Sequence, residues 1–163
     1  MSDLSNYQMA REKAQQQYDS AFHLLKVTYP LARDEKLLLG VLFNLFSSLE
    51  SSMTSILAYE RQLHLVPAYL DNFQSKFNLF RYKSLQRNKI PEEYALLMTE
   101  LQEMIELQKK CPVEFQRGNR LVMCTKDYEM KTLSLKEIQD YLGKTKDFLE
   151  LSQQITSRIK EKL

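Results

Sequence analysis

Between Asp34 and Leu63 the apolar and small residues recur in a helical rhythm. Leu38, Leu42, Leu45, Leu49, Ser52, Ile56, Tyr59 and Leu63 follow one another at alternating steps of four and three. That spacing places them on one face of an α-helix. Leu39, Phe43, Phe46, Met53 and Leu57 widen the apolar surface beyond one stripe, so this helix is expected to have neighbours on several sides. The other positions include Gly40, Ser47, Ser48, Ser51, Ser55 and Ala58, small enough to let a second helix come close. Asp34 and Glu35 suit the positive end of the helix dipole, and Arg61 suits the negative end. The stretch reads as the central helix of a bundle. Glu50 and Glu60 would make it a ligand-lined helix if they pointed inward, but the sequence identifies no partner for either.

The remaining elements follow in order. Ser5-Asn6-Tyr7-Gln8 has the form of a capping box, with Leu4 and Met9 at the staple positions. The helix it opens runs to about Lys26, with Leu4, Tyr7, Ala14, Tyr18, Ala21, Phe22 and Leu25 inward. Tyr29-Pro30 is expected to break it, because the residue before proline avoids helical geometry. The short connection makes helices one and two antiparallel neighbours. A third helix is expected from Pro67, with Val66, Leu70, Phe73, Phe77 and Phe80 as its stripe. A fourth opens at Pro91-Glu92-Glu93, buries Tyr94, Leu97, Met98, Leu101, Met104, Ile105 and Gln108, and ends at Cys111-Pro112.

There the period changes from helical to alternating. Val113, Phe115, Val122 and Cys124 flank Arg117-Gly118-Asn119-Arg120, a hairpin signal. With Gly118 and Asn119 as the turn, Arg117 faces Arg120, Phe115 faces Val122 and Val113 faces Cys124. A lone hairpin is marginal and must lie on the helices. The last helix has the clearest start: Ser134-Leu135-Lys136-Glu137 is a capping box between Leu133 and Ile138. Its stripe is Leu135, Ile138, Leu142, Phe148, Leu149, Ser152, Ile155 and Ile159, and Gly143 is expected to mark close packing. The fold class is all-α: one domain over residues 1–163, an antiparallel bundle of about five helices with a small β-hairpin (about 113–124) before the last helix.

Composition adds limits. The chain has 163 residues, 44% apolar and 27% charged, with only three glycines and four prolines, which fits long helices and few turns. A net charge of +2 gives no global footprint for nucleic acid, so such binding needs a local patch. The longest apolar run, Leu37 to Phe43, falls short of the ~20 residues of a spanning helix. The first residues lack the apolar core of a signal peptide, so the expected location is cytoplasmic, away from membranes. Cys111 and Cys124 do not make a disulfide framework and are expected as thiols.

Candidate chemistry is sparse. His23 and His64 are the two histidines; Glu60 and His64 stand i,i+4 but lack further ligands, so no metal site is expected. Cys111 near a histidine would be a nucleophile pair, although a cysteine before Pro112 reads first as a helix end. Phosphate loop, dinucleotide fingerprint and nucleophile elbow are all missing from the sequence, and no cofactor is expected. Two basic clusters remain. Lys76, Arg81, Lys83, Arg87 and Lys89 interleave with Phe77, Phe80 and Tyr82, a pattern that suits phosphates and stacked bases. The alternative is that the phenylalanines are core and the cations pair with the acidic fourth helix. Arg117 and Arg120, with Lys109, Lys110 and Lys126 around the hairpin, could grip an anion or solubilise a sheet edge.

Long antiparallel helices, a small insertion before the last and basic residues beside it resemble HEPN-type helical domains. Active members of that family are RNases with an arginine followed four to six residues later by histidine. Here Arg61-Gln62-Leu63-His64 is too short, and no histidine follows residue 64. The resemblance implies a non-catalytic, dimeric member that binds RNA, nucleotide or protein. The expectation is a non-enzymatic protein that binds another protein or itself. The alternative is an RNA- or nucleotide-binding module using a basic cluster.

Overall fold

The structure, a computed structural model, describes residues 3–110, 113–117, 120–124 and 129–158, with the backbone alone at 3–5, 35 and 113–117. Among the described residues the helices form five continuous rods. The first is α1 (Asp3–His23), a π turn (Leu24–Thr28) and α2 (Tyr29–Ala32). The second is α3 (Glu35–Gln62). The third is α4 (Phe73–Leu79), a π turn (Phe80–Ser84) and α5 (Leu85–Arg87). The fourth is α6 (Glu93–Lys109), and the fifth is α7 (Leu135–Thr156). The fold is thus all-α with a small antiparallel sheet before the last helix.

The central helix forms where its rhythm predicts. Asp34 caps it, its Oδ1 accepting from Lys36 N at 3.0 Å. Leu38, Leu45, Leu49, Ile56 and Leu57 are fully buried in a core that also holds Ala14, Phe80, Met98, Leu101, Leu121 and Phe148. By length and composition α3 could cross a membrane, since the 27 residues Lys36–Gln62 hold an 18-residue stretch with a mean hydropathy of 1.3. Serines interrupt its leucines, so counting unbroken apolar runs misses this. More than half of its most apolar stretch, 56%, is buried inside the fold.

Several small residues of α3 face α1, which runs antiparallel to it. Tyr7 packs edge-on to Tyr59 at 5.6 Å, Ser48 donates to the Ala14 carbonyl and Ser51 donates to Gln17 Oε1, both at 2.8 Å. Gly40 belongs to the same contact: a Cβ there would lie 3.3 Å from Leu24 Cδ1. Gly143 does not match its expectation. It is exposed, and a Cβ there would meet nothing within 4 Å. Helix α1 is also under way by Asp3, so Ser5 lies within it rather than at a cap.

Pro30 does not break the first rod. A proline in regular helix strikes the carbonyl four residues back and has no N–H to give. Here Tyr29 N donates five residues back, to Leu24 O, and the widened turn makes room for the ring. The chain turns instead at Arg33, which is left-handed at φ 49°. Phe22, expected inside, is 45% exposed.

The third helix begins later than Pro67 suggests. His64 turns the chain out of α3 at φ 59°, and residues 65–70 are not helical. Val66 is buried but Leu70 is 69% exposed. The helix starts at Phe73, capped by Asn72, whose Oδ1 accepts from Ser75 N at 2.8 Å. Phe73 sits 5.0 Å from Phe46, Lys76 reaches Glu50 and Arg87 reaches Glu60. The rod from α4 to α5 therefore runs parallel to α3, and the stretch 63–72 doubles back along α3 to let it.

The sheet has three strands in the order β1 (Val113–Arg117), β2 (Arg120–Cys124), β3 (Met130–Ser134). The β1–β2 register is the one expected: Val113 pairs with Cys124, Phe115 with Val122 and Arg117 with Arg120. Gly118 and Asn119 lie outside the described residues. The third strand is an addition, pairing Leu121 with Leu133 and Val122 with Thr132. Leu121, Met123 and Leu133 are fully buried in the helical core. The sheet thus meets the helices with the face opposite to that of Val122. Ser134 then caps α7 as its box predicts, accepting from Glu137 N at 3.1 Å. Ile159 lies outside the described residues.

Candidate binding surfaces

Two carboxylates on α3 decide the fate of the first basic cluster. Glu60 is 1% exposed. Ser84 Oγ and Arg87 Nη1 donate to its two oxygens, and Asn88 Nδ2 lies 3.4 Å from Oε2. Arg87 also donates through Nη2 to the Leu65 carbonyl at 3.1 Å, and Arg158 Nη1 donates to Asn88 Oδ1 at 3.2 Å. Glu50 receives Lys76, whose Nζ lies 3.5 Å from Glu50 Oε1, 3.2 Å from Asp71 Oδ1 and 3.1 Å from Thr54 Oγ1. Both glutamates therefore have partners, contrary to the sequence expectation. Lys76 and Arg87 pair with the central helix rather than with acidic α6, because their rod lies parallel to α3 at a matching spacing. Glu92, just before α6, and Glu93, Glu100, Glu103 and Glu106 within it are exposed.

The cluster is thus split. Lys76 is buried and Arg87 is engaged, while Phe77 and Phe80 are core residues closed to a stacked base. Arg81, Lys83 and Lys89 are exposed and form no ion pair among the described residues; Tyr82 between them is 69% exposed. In the second cluster Arg120 is exposed at the start of β2, and Arg117 is its cross-strand partner. The Arg117 side chain and Lys126 lie outside the described residues. So does Cys111, leaving that nucleophile pair without a described member beyond the exposed His23 and His64. No three His, Cys, Asp or Glu side chains gather to hold a metal among the described residues.

A polar groove runs over α3 between α1 and the returning stretch 63–72. Two recesses, of about 310 and 300 Å³, share Thr54 and Asp71. Ser47, Glu50, Thr54, Ala58 and Arg61 form the floor. Asn6, Ala10, Lys13 and Gln17 form one wall, and Tyr69, Asp71 and Lys76 the other. Arg61 lies over the Tyr69 ring at 5.9 Å. Burial raises the Tyr69 hydroxyl pKa against the opposing pull of Arg61. The small-residue rhythm of α3 therefore serves two surfaces: Ser48 and Ser55 are fully buried, whereas Ser47, Thr54 and Ala58 line the groove.

An apolar stripe leaves the bundle elsewhere. Phe22, Val27 and Leu31 are 45%, 46% and 86% exposed. The π turn between them explains their alignment, because one turn there spans an extra residue and brings 22 and 27 into line. Comparison of the chain with protein-family models, with curated proteins and with solved structures finds no match.

Proposed function

We propose that this chain is a non-enzymatic cytoplasmic protein that works by binding another protein or a second copy of itself. The observation that carries this reading is the stripe of Phe22, Val27 and Leu31, held at the surface of the first rod by its π turn. Three large apolar side chains on one line cost solubility, and they are the kind of surface a partner covers. The non-catalytic, dimeric character implied by the HEPN-like resemblance agrees with it. Sedimentation over a range of concentrations tests the self-binding form. A mass that rises with concentration in the parent and stays monomeric in Val27→Asp/Leu31→Asp supports the stripe as the contact. A monomer at every concentration removes self-association and leaves a different partner.

A second reading, an RNA- or nucleotide-binding module, is favoured by Arg81, Tyr82 and Lys83, consecutive, exposed and without an ion pair among the described residues. Lys89 is exposed a few residues on. An Arg81→Ala/Lys83→Ala/Lys89→Ala variant in a salt series tests it. Phosphate contacts give a steep salt slope that this variant flattens. Arg87 is excluded from that variant because its loss would strand Glu60.

A further inference from the structure

We propose that the polar groove over α3 takes an extended acidic segment of a partner polypeptide, with two carboxylates four residues apart meeting Lys13 and Arg61. The inference rests on the protein-binding reading and gives it a second, chemically specific surface.

Charge bookkeeping along the groove singles out the two cations. Lys76 is saturated by Thr54, Asp71 and Glu50. Lys13 and Arg61 form no ion pair among the described residues, and both are exposed. Lys13 shares its recess with Glu50, and Arg61 lines the other recess. Glu50 to Arg61 is about 16 Å of helix at 1.5 Å per residue. An extended chain covers about 13 Å in four residues, and the long Lys and Arg side chains span the difference. Even spacing also places both acidic side chains on one face of the extended segment.

The remaining polar groups suit a peptide backbone better than a phosphate chain. Glu50 and Asp71 present acceptors, and Asp71 is 96% exposed. Gln17 accepts from Ser51 through Oε1, leaving its amide N–H groups to donate; Asn6 offers another amide at the far end. A peptide carries N–H donors and C=O acceptors along its length and can answer both kinds of group. A phosphodiester carries negative charge at every unit and would have to set some of it against Glu50 and Asp71, whereas the peptide carries only two charges, at the positions of Lys13 and Arg61.

The test uses the full chain and a fluorescein-labelled nonapeptide of Gly, Ser and Thr with glutamates at its third and seventh positions. Fluorescence anisotropy should show saturable binding that weakens at least tenfold when both glutamates become glutamine. It should weaken as much in Lys13→Glu/Arg61→Glu, and in Lys13→Glu alone by a smaller factor. Amide shifts on titration should centre on Ser47, Thr54 and Ala58. Failure of the glutamate peptide to bind, equal binding by the glutamine peptide, indifference to Lys13→Glu, or preferred binding of a single-stranded oligonucleotide each overturns the proposal. Sedimentation of Lys13→Glu/Arg61→Glu separates the two readings, because these substitutions leave the Phe22–Val27–Leu31 stripe intact. With self-association retained, peptide binding that is lost only in this variant supports both readings, whereas a parent that binds no glutamate peptide sinks the groove alone.

Discussion

The hydroxyl of Ser48 donates a 2.8 Å hydrogen bond to the backbone carbonyl of Ala14 on the neighbouring helix. A side chain as short as serine reaches another helix's backbone only when the two rods nearly touch. Ala14 has no exposed surface. We therefore expect Ala14→Leu to cost about 3 kcal/mol, the upper range for overpacking a filled core. Ser48→Ala should cost about 1 kcal/mol, the net value of one buried hydrogen bond. Urea unfolding of the two variants checks both magnitudes and their order.

Glu60 and Arg87 predict a non-additive pair. Arg87→Ala leaves a buried carboxylate with Ser84 and Asn88 alone, and should cost about 3 kcal/mol. Glu60→Gln keeps the shape and removes the charge. Once that charge is gone, losing Arg87 should cost about 1 kcal/mol. A double-mutant cycle by chemical denaturation reads the coupling directly. Equal costs of Arg87→Ala in both backgrounds would contradict the pairing.

The two helical glycines should respond differently to alanine. At Gly143 the added methyl meets nothing within 4 Å, so the helix gains about 1 kcal/mol from alanine's better propensity. At Gly40 the methyl lies 3.3 Å from Leu24 Cδ1, the far end of a flexible side chain that can give slightly. Part of the same gain is lost there, and Gly40→Ala should stabilise by less. Thermal unfolding ranks them.

Alkaline pH should weaken the α6–α7 contact. Tyr141 donates to Glu100 Oε1 at 2.8 Å. Burial first, then that hydrogen bond and the Glu100 charge, raise the Tyr141 pKa above the ordinary tyrosine value. A raised pKa means that the fold favours the protonated phenol. Its contribution is complete below the unfolded-state value of about 10 and falls as pH climbs from there toward the folded-state value. Stability followed by denaturation across that window should drop less steeply in Tyr141→Phe than in the parent. Parallel slopes would deny Tyr141 this role.

Much of the fold is readable from local signals. Asp34, Ser134 with Glu137, and Pro91 with the two glutamates each mark a helix start through neighbours within four residues. The hairpin register follows from Gly118-Asn119 and the alternation around it. What escaped depends on distant partners. The doubling-back of 63–72 has no local mark, since Pro67 suits a helix start as well as an extended strap. Glu60 meets Ser84, Arg87 and Asn88, 24 to 28 positions away. Nothing in the chain order ties these together until α4 is known to run parallel to α3. The basic cluster was visible as composition, but its division into engaged and open cations follows from that same direction. The groove needs α1 and the strap side by side, and its wall residues Asn6, Ala10, Lys13 and Gln17 read in sequence as the outer side of an ordinary amphipathic helix.

The π turn at Leu24–Thr28 also fixes the phase of everything on that rod beyond it. One surplus residue there offsets the following side chains by about 100° relative to an uninterrupted α-helix. Tyr29, 4% exposed, points into the core only in that offset setting, while Leu31 points out. Excising one residue from Leu24–Thr28 would let a regular turn replace the wide one and leave Tyr29 and Leu31 facing as they do now, whereas a regular turn that kept all five residues would withdraw Tyr29 from the core. The wide turn thus takes up one residue that the packing beyond it has no room to absorb.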